Sequence, residues 1–281
     1  MIPAEFLVIL LGLASAAVWG AADFGGGFAS KRTNEYYVVI LMQAVGLILL
    51  PILAIVFSEQ FPQGGGIFWG FVAGVAGSLG LVVLYRALSQ GKMGVVAPVS
   101  AIVTVALPVI YGALKEGLPS VYQMTGFVVA LVAMWLISSS DDNGDIRRQD
   151  IVLPLLAGVG FGIFFISVDM FSEDAVFWPL TVAKASSVIT ILLIAILTGS
   201  KNIPVRGALP LIILAGIFDA GGNLFFALAS QVGRVDIATV VASLYPASTV
   251  LLAWIFLKER LALNQWMGVV LALVAVVFIS L

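Results

Sequence analysis

The sequence predicts an all-α polytopic membrane protein with ten transmembrane helices, arranged as two inverted five-helix repeats. Three observations predict this class: the scarcity of charge, the length of the apolar segments and an internal repeat. Of the 281 residues, 62% are hydrophobic and only 10% are charged, whereas a soluble domain carries about 25% charged residues. A chain of this composition cannot cover its apolar surface in water, so a lipid bilayer is its predicted surroundings.

The residue types that are missing restrict the chemistry. The chain contains no cysteine and no histidine, which excludes disulfides, thiolate metal sites, haem held by histidine and nucleophile pairs that use histidine. The commonest general base near neutral pH is also missing. The net charge of −2 gives no indication of a nucleic-acid partner. We therefore predict no enzyme activity, no cofactor and no metal site.

The apolar segments are long enough to cross the membrane as helices. A helix needs about 20 apolar residues to do so, and barrel strands would alternate apolar and polar residues, which these segments do not. The predicted helices are 5–28, 36–57, 67–88, 94–114, 120–139, 151–171, 177–199, 206–230, 236–256 and 263–281. The first lacks a positively charged leader and is too long for a signal peptide, so we interpret it as a retained span.

The helices divide into two matching halves. A polar stretch from Ser138 to Asp150 lies between them and predicts a first repeat at 1–139, a linker at 140–150 and a second repeat at 151–281. The matched positions are Ala87-Leu88 with Ala227-Leu228, Ser89-Gln90 with Ser230-Gln231, Lys115-Glu116 with Lys258-Glu259, Gly126 with Gly268 and, without gaps, Gly12–Asp23 with Gly158–Asp169. Because five is an odd number of crossings, the second repeat enters the membrane from the opposite side, as in many secondary transporters.

The positive charges are distributed unequally between the two sides of the membrane. The connections after helices one, three, five, seven and nine hold Lys31, Arg32, Arg86, Lys92, Arg147, Arg148, Lys201, Arg206, Lys258 and Arg260. The other side holds only Lys115 and Arg234. Cytoplasmic loops carry the excess of lysine and arginine, so this count predicts that both termini lie outside the cytoplasm.

Several motifs carry a family likeness. The second half contains Phe226-Ala227-Leu228, Tyr245-Pro246, Lys258-Glu259-Arg260-Leu261, Gln265 and Gly268, and the first half contains Trp19-Gly20, Tyr85-Arg86-Ala87-Leu88, Glu116-Gly117-Leu118, Gln123 and Gly126. This paired pattern resembles the EamA-type repeat of the drug/metabolite transporter superfamily. The resemblance implies a ten-helix bundle around a central cavity, lined mainly by helices one, three, four, six, eight and nine, with alternating access. It also implies cytoplasmic termini, so the orientation stays open.

Four charged residues lie within predicted spans. A charge there costs about 2.5–3.5 kcal/mol on insertion scales and usually marks function. The four are Asp23, Asp169, Asp219 and Lys184. The carboxylates are candidates for proton coupling or for pairing with a cationic group of a substrate. Alternatively, Asp23 and Asp169 are hydrated near span ends, and Lys184 either reaches the interface or pairs with an aspartate.

Uncharged residues complete the predicted site. Asn223 follows Asp219 by one helical turn, which makes helix eight the preferred binding helix. Gln43 is a polar group within a span, and Trp19 and Tyr245 are aromatic residues that either stack on a substrate or pack the bundle. Pro246, beside Tyr245, is a hinge or a simple kink.

One motif points to chemistry instead. The run Asp141-Asp142-Asn143-Gly144-Asp145 has the shape of a magnesium-binding motif, but no second acidic cluster accompanies it and Asn-Gly is a turn signal. An intramembrane enzyme acting on a lipid-linked substrate is therefore the alternative. The preferred hypothesis is a secondary transporter in the cell membrane that exports a small polar or amphipathic metabolite (amino acid, nucleobase, sugar, cation or drug-like) by alternating access, with protons as the candidate coupling ion.

Overall fold

The computed structural model describes residues 3–30, 33–62, 65–90, 93–138, 148–199, 206–258 and 261–281, and every regular element within these ranges is helical. The helices are α1 Ala4–Ser30, α2 Glu35–Val56, α3 Gly65–Gln90, α4 Met93–Glu116, α5 Val121–Ser138, α6 Gln149–Ser172, α7 Phe177–Leu197, α8 Leu209–Val232, α9 Val235–Ala242, α10 Tyr245–Leu252 and α11 Leu263–Ile279. In the described part of the chain, nine segments are long and apolar enough to span a membrane, and α11 is a shorter apolar helix. The predicted all-helical membrane class is confirmed.

The ninth span, predicted at 236–256 with a hinge or a kink at Pro246, is broken close to that proline. It comprises α9, a turn at Ser243 and Leu244, α10, and a π-helical segment at Ala253–Leu257. Pro246 lies in the first turn of α10, where its missing N–H leaves no helical hydrogen bond unmade. The predicted span is thus present as Val235–Leu257, and its interruption lies just before Pro246, for which the sequence left a hinge or a kink open.

The two repeats pack mainly against each other. Helix α1 packs against α8, α9 and α10, and in the same way α6 packs against α3 and α4. Helix α2 packs against α7, and α5 packs against α11. Each pairing is repeated when the two halves of the chain are exchanged, which is the arrangement expected of two interlocked repeats related by a pseudo-two-fold axis.

The contact between α5 and α11 has the same symmetry at the level of single residues. A Cβ atom at Gly126 would lie 3.0 Å from the carbonyl oxygen of Ala275, and one at Gly268 would lie 2.8 Å from that of Ala133. Gly126 and Gly268 are matched in the sequence repeat, and Ala133 and Ala275 have the same offset. Small residues allow two helix backbones to approach closely in a membrane, so the repeated glycine fixes this contact from both sides.

The outer surface of the bundle is apolar. Large side chains such as Ile48, Leu197 and Leu273 are 67%, 84% and 65% exposed. In water such a surface would be strongly unfavourable, whereas in lipid it costs nothing. Polar and charged side chains are buried between the helices instead, and these define the candidate site.

Candidate functional site

An ion pair lies near the middle of the bundle. The ammonium of Lys184 on α7 donates to Asp219 Oδ2 on α8 at 2.5 Å and to Gln43 Oε1 on α2 at 2.7 Å. The two charged side chains are only 6% and 18% exposed. Of the alternatives open for Lys184, the structure places it in a pair with an aspartate. We call Lys184, Asp219, Gln43 and Asn223 the central cluster.

Local sequence explains why these groups fit together. The aliphatic stem of Lys184 lies against Gly46, where a Cβ atom would come within 3.0 Å of Lys184 Cε. A side chain at that position would crowd the stem, whereas glycine leaves it room to run toward α8. Asn223 is buried and donates to the Asp219 carbonyl oxygen at 2.5 Å and to its Oδ1 at 3.4 Å. Asn223 lies four residues after Asp219 on the same helix, and its side chain thus helps to orient the Asp219 carboxylate toward Lys184.

Asp23 on α1 differs from the other three charged residues that lie within predicted spans. Its side chain is exposed although it lies within the α1 span. Among the described residues it has no hydrogen bond or ion pair. Asp219 is close enough for the two carboxylates to repel each other. With Asp23, Asp219 and Lys184 all ionised, the group carries one net negative charge.

The Trp19-Gly20 pair of α1 packs the helices around this group. The Trp19 ring stacks on Phe226 with centroids 6.0 Å apart and meets Phe165 edge-on at 5.7 Å. It also covers Gly222 of α8. Gly20 lies against α10, where Thr249 Oγ1 donates to its carbonyl oxygen at 3.2 Å. Trp19 is therefore largely a packing residue, with part of its surface left accessible one turn from Asp23.

The two halves of the broken ninth span differ in how far their residues are buried. Every residue of α9 is buried, whereas no residue of α10 or of Ala253–Leu257 is. The residues of α10 are half-buried because α10 packs against α1, where Tyr245 and Ser248 lie next to Gly20, and exposed residues begin only at Trp254 in the segment that follows. The hydroxyls of Thr239 and Ser243, beside the break, are buried without a hydrogen-bond partner in the described residues.

We define face A as the membrane face where α1 begins and face B as the face where α1 ends. Face A is closed by a second ion pair. Lys115 at the end of α4 lies 3.0 Å from Asp169 Oδ2 and 2.8 Å from Glu173 Oε1 on α6. Asp169 is 2% exposed and also accepts a hydrogen bond of 2.6 Å from Ser230 on α8. The predicted site residue Asp169 is thus remote from the central cluster and joins α4, α6 and α8.

Two further contacts tie face A together. Arg234 pairs with the fully buried Asp236 at 2.7 Å and donates to the Gly117 carbonyl oxygen at 2.7 Å. The hydrogen bond to Asp236 raises the pKa of Arg234, so its guanidinium stays protonated. The carboxylate of Glu59, after α2, accepts hydrogen bonds from the backbone N–H groups that begin α7, at Val176, Phe177 and Trp178.

The structure brings most of the sequence-predicted residues together. Lys184, Asp219, Gln43 and Asn223 are hydrogen-bonded to one another, Asp23 lies within electrostatic range, and Trp19 and Tyr245 flank it on α1 and α10. Sequence reasoning missed Glu59 and Gly46. It counted Lys115 only as a loop charge, although the match of Lys115 with Lys258 in the repeat was a usable signal. The acidic run Asp141–Asp145 lies outside the described residues.

Comparisons with known proteins agree with this architecture. The model of the EamA-like transporter family matches residues 6–139 and again 150–281. A protein described as "Uncharacterized protein MJ1333.1" from Methanocaldococcus jannaschii is 32% identical over 137 residues, which cover 47% of this chain and 97% of that protein. That relative is thus about as long as one half of this chain. A solved structure described as "Crystal structure of protein" superposes with a TM-score of 0.81 at 12% identity, covering 96% of this chain and 95% of that chain, which shows the shared fold.

Proposed function

Because the chain belongs to the EamA-like transporter family, we propose that it is a secondary transporter of a small polar or amphipathic metabolite that works by alternating access. The observation that carries the proposal is the asymmetry of the ninth span. Its α9 half is buried throughout, whereas no residue of its α10 half is fully buried and the segment that continues to face B is exposed from Trp254 onward. A bundle closed at face A and accessible from face B is one of the two states that alternating access requires.

The charges support an orientation with face B in the cytoplasm. The sequence places an excess of lysine and arginine on that face, and the two exceptions on face A are Lys115 and Arg234. Because cytoplasmic ends of spans carry the excess of lysine and arginine, this distribution supports placing face B in the cytoplasm. In this orientation, in the cell membrane, the open side faces the cytoplasm, which is where an exporter takes up its substrate.

Asp23 is our proposed contact for the substrate. An intramembrane carboxylate without a counter-charge is unfavourable, and binding of a cation or a proton removes that cost. Asp219 is already held by Lys184, so the net negative charge of the group falls to Asp23. We therefore favour a metabolite that carries an amine, with a proton as the alternative occupant of the same carboxylate in the coupling step.

Flux measurements in proteoliposomes test this function. Amino acids, organic cations, nucleobases and sugars would be screened with and without a pH gradient. We expect flux for an amine-bearing solute, and we expect Asp23→Asn to reduce it by more than about tenfold, since one lost charged contact is worth roughly 1.5–3 kcal/mol. Asp174→Asn is the matched control because Asp174 is exposed on face A. An absence of flux across the whole panel from folded protein would overturn the proposal.

A further inference from the structure

The closed end of the bundle contains a three-residue unit. Asp169 on α6 is held by Lys115 on α4 and by Ser230 on α8. In the sequence repeat, each of these residues has a counterpart of the same type in the other half. Asp169 matches Asp23 without gaps, Lys115 matches Lys258, and Ser230 matches Ser89. The counterparts belong to α1, to the end of the ninth span and to α3, and the corresponding ends of these helices lie at face B.

In this structure the counterpart pair at face B is apart. Asp23 is accessible, and Lys258 is exposed. Neither has an ion pair among the residues that the structure describes. The two ends are nevertheless neighbours, because the rings of Phe24 and Phe256 lie 6.0 Å apart. On face A the residue after the aspartate also contacts the helix that leads to the matched lysine, since the Tyr111 hydroxyl lies 3.0 Å from the Met170 sulfur.

The backbone leading to Lys258 is irregular. Residues Ala253–Leu257 form a π-helical segment, and Lys258 itself has φ 55° and ψ 30°. Single π-helical turns often occur at functional positions, and a non-glycine residue in the left-handed region is strained by about 1–3 kcal/mol. The matched end of α4 is regular helix through Glu116. The two halves therefore differ at the position of the matched lysine.

We propose that Asp23 and Lys258 form the ion pair that closes face B when the protein opens toward face A, while the Lys115–Asp169 pair separates. This inference rests on the transport function proposed above. Two repeats that exchange conformations exchange their contacts, so each state keeps one pair formed and the two states remain close in free energy. Lys258 also competes with a substrate amine for Asp23, which displaces the substrate as face B closes.

A single-cysteine reporter tests the exchange without any substrate. The chain has no native cysteine, and a Cβ atom at the exposed Gly27 of α1 would meet no atom within 4 Å. Maleimide labelling of Gly27→Cys in membranes therefore reports how often face B is open. We expect Lys115→Gln to slow labelling by at least about fivefold, the lower range of conformational coupling. Adding Lys258→Gln should return the rate to that of the parent.

Controls separate this exchange from misfolding and from the function. Because Lys115→Gln alone leaves Asp169 buried without its cation, the neutral pair Lys115→Gln/Asp169→Asn is measured as well and should slow labelling equally. Arg148→Gln, which removes an exposed cation on face B, should change nothing. If Lys258→Gln fails to restore the rate in folded protein, or if Lys115→Gln leaves it unchanged, the exchange is refuted even where solute flux is observed. If the exchange is seen but no solute is carried, the transport function is what fails.

Discussion

Removal of Lys184 offers a direct test of the central cluster. In Lys184→Met the aliphatic stem and its packing against Gly46 are largely kept, but the ammonium that neutralises Asp219 is lost. Asp219 then lies beside Asp23 with no counter-charge in the described residues, and two like charges share one part of the bundle. The structure therefore predicts a loss of stability from electrostatics and not from a cavity.

The size of the effect follows from burial. Removing one partner of a buried ion pair costs about 3–5 kcal/mol. Lys184 is 6% and Asp219 18% exposed, so partial access of water places the expected loss near the lower end, at about 3 kcal/mol. Removing both charges in Lys184→Met/Asp219→Asn eliminates the uncompensated carboxylate. The double variant should lie within about 1 kcal/mol of the parent, because replacing both partners of such a pair is often neutral.

Reversible unfolding in mixed micelles measures these differences, with fluorescence of the six tryptophans as the signal. A double-mutant cycle isolates the interaction between the two side chains. Arg148→Met is the control, since Arg148 is exposed and a surface substitution should change stability by no more than about 0.5 kcal/mol. A loss below 1 kcal/mol in Lys184→Met, with no recovery in the double variant, would show that the two groups are not a charged pair.

Two other predictions concern single carboxylates. Glu59→Ala should destabilise the start of α7 by about 1–2 kcal/mol, as for a lost helix cap, because three backbone N–H groups lose their acceptor; hydrogen exchange at Val176, Phe177 and Trp178 should accelerate, and unchanged exchange would contradict the capping role. Asp23→Asn and Asp169→Asn should have opposite effects on the unfolding free energy. Asp169→Asn weakens the contacts to Lys115 and Ser230 by about 1–3 kcal/mol, whereas Asp23→Asn removes repulsion from Asp219 and should be neutral or stabilising; effects of the same sign would refute the contrast.

The sequence was sufficient for features that depend on local pattern. Hydropathy located the spans with ends within a few residues, as for α1 at Ala4–Ser30 against the predicted 5–28. The pair of Asp219 and Asn223 is one helical turn apart, and periodicity places both on one face. The symmetric contact of Gly126 and Gly268 agrees with the repeat that their matched positions indicated.

Features that depend on helix packing could not be predicted in the same way. Lys184 and Gln43 are separated by 141 residues in sequence, and hydropathy does not indicate which helices are neighbours. Nor did Pro246 by itself distinguish a break from a simple kink in the ninth span. Pro51 and Pro154 lie inside continuous helices α2 and α6, because neighbouring helices and local adjustments satisfy the freed backbone groups in a membrane. A proline alone therefore does not distinguish a kink from a break.

The contrast between Asp23 and Asp169 bears on how the chain works. The two residues occupy the same position in matched stretches of sequence, yet Asp23 is accessible and has no ion pair within the described ranges, while Asp169 is 2% exposed and held by Lys115 and Ser230. Because the two aspartates also have matched potential partners, their positions in the sequence do not explain why one is accessible and the other is buried. The difference must come from the conformations of the two halves, which are packed around the ends of α4 and the ninth span in different ways. Under the alternating access proposed above, the two halves exchange these conformations, and Asp169 should then become the accessible carboxylate.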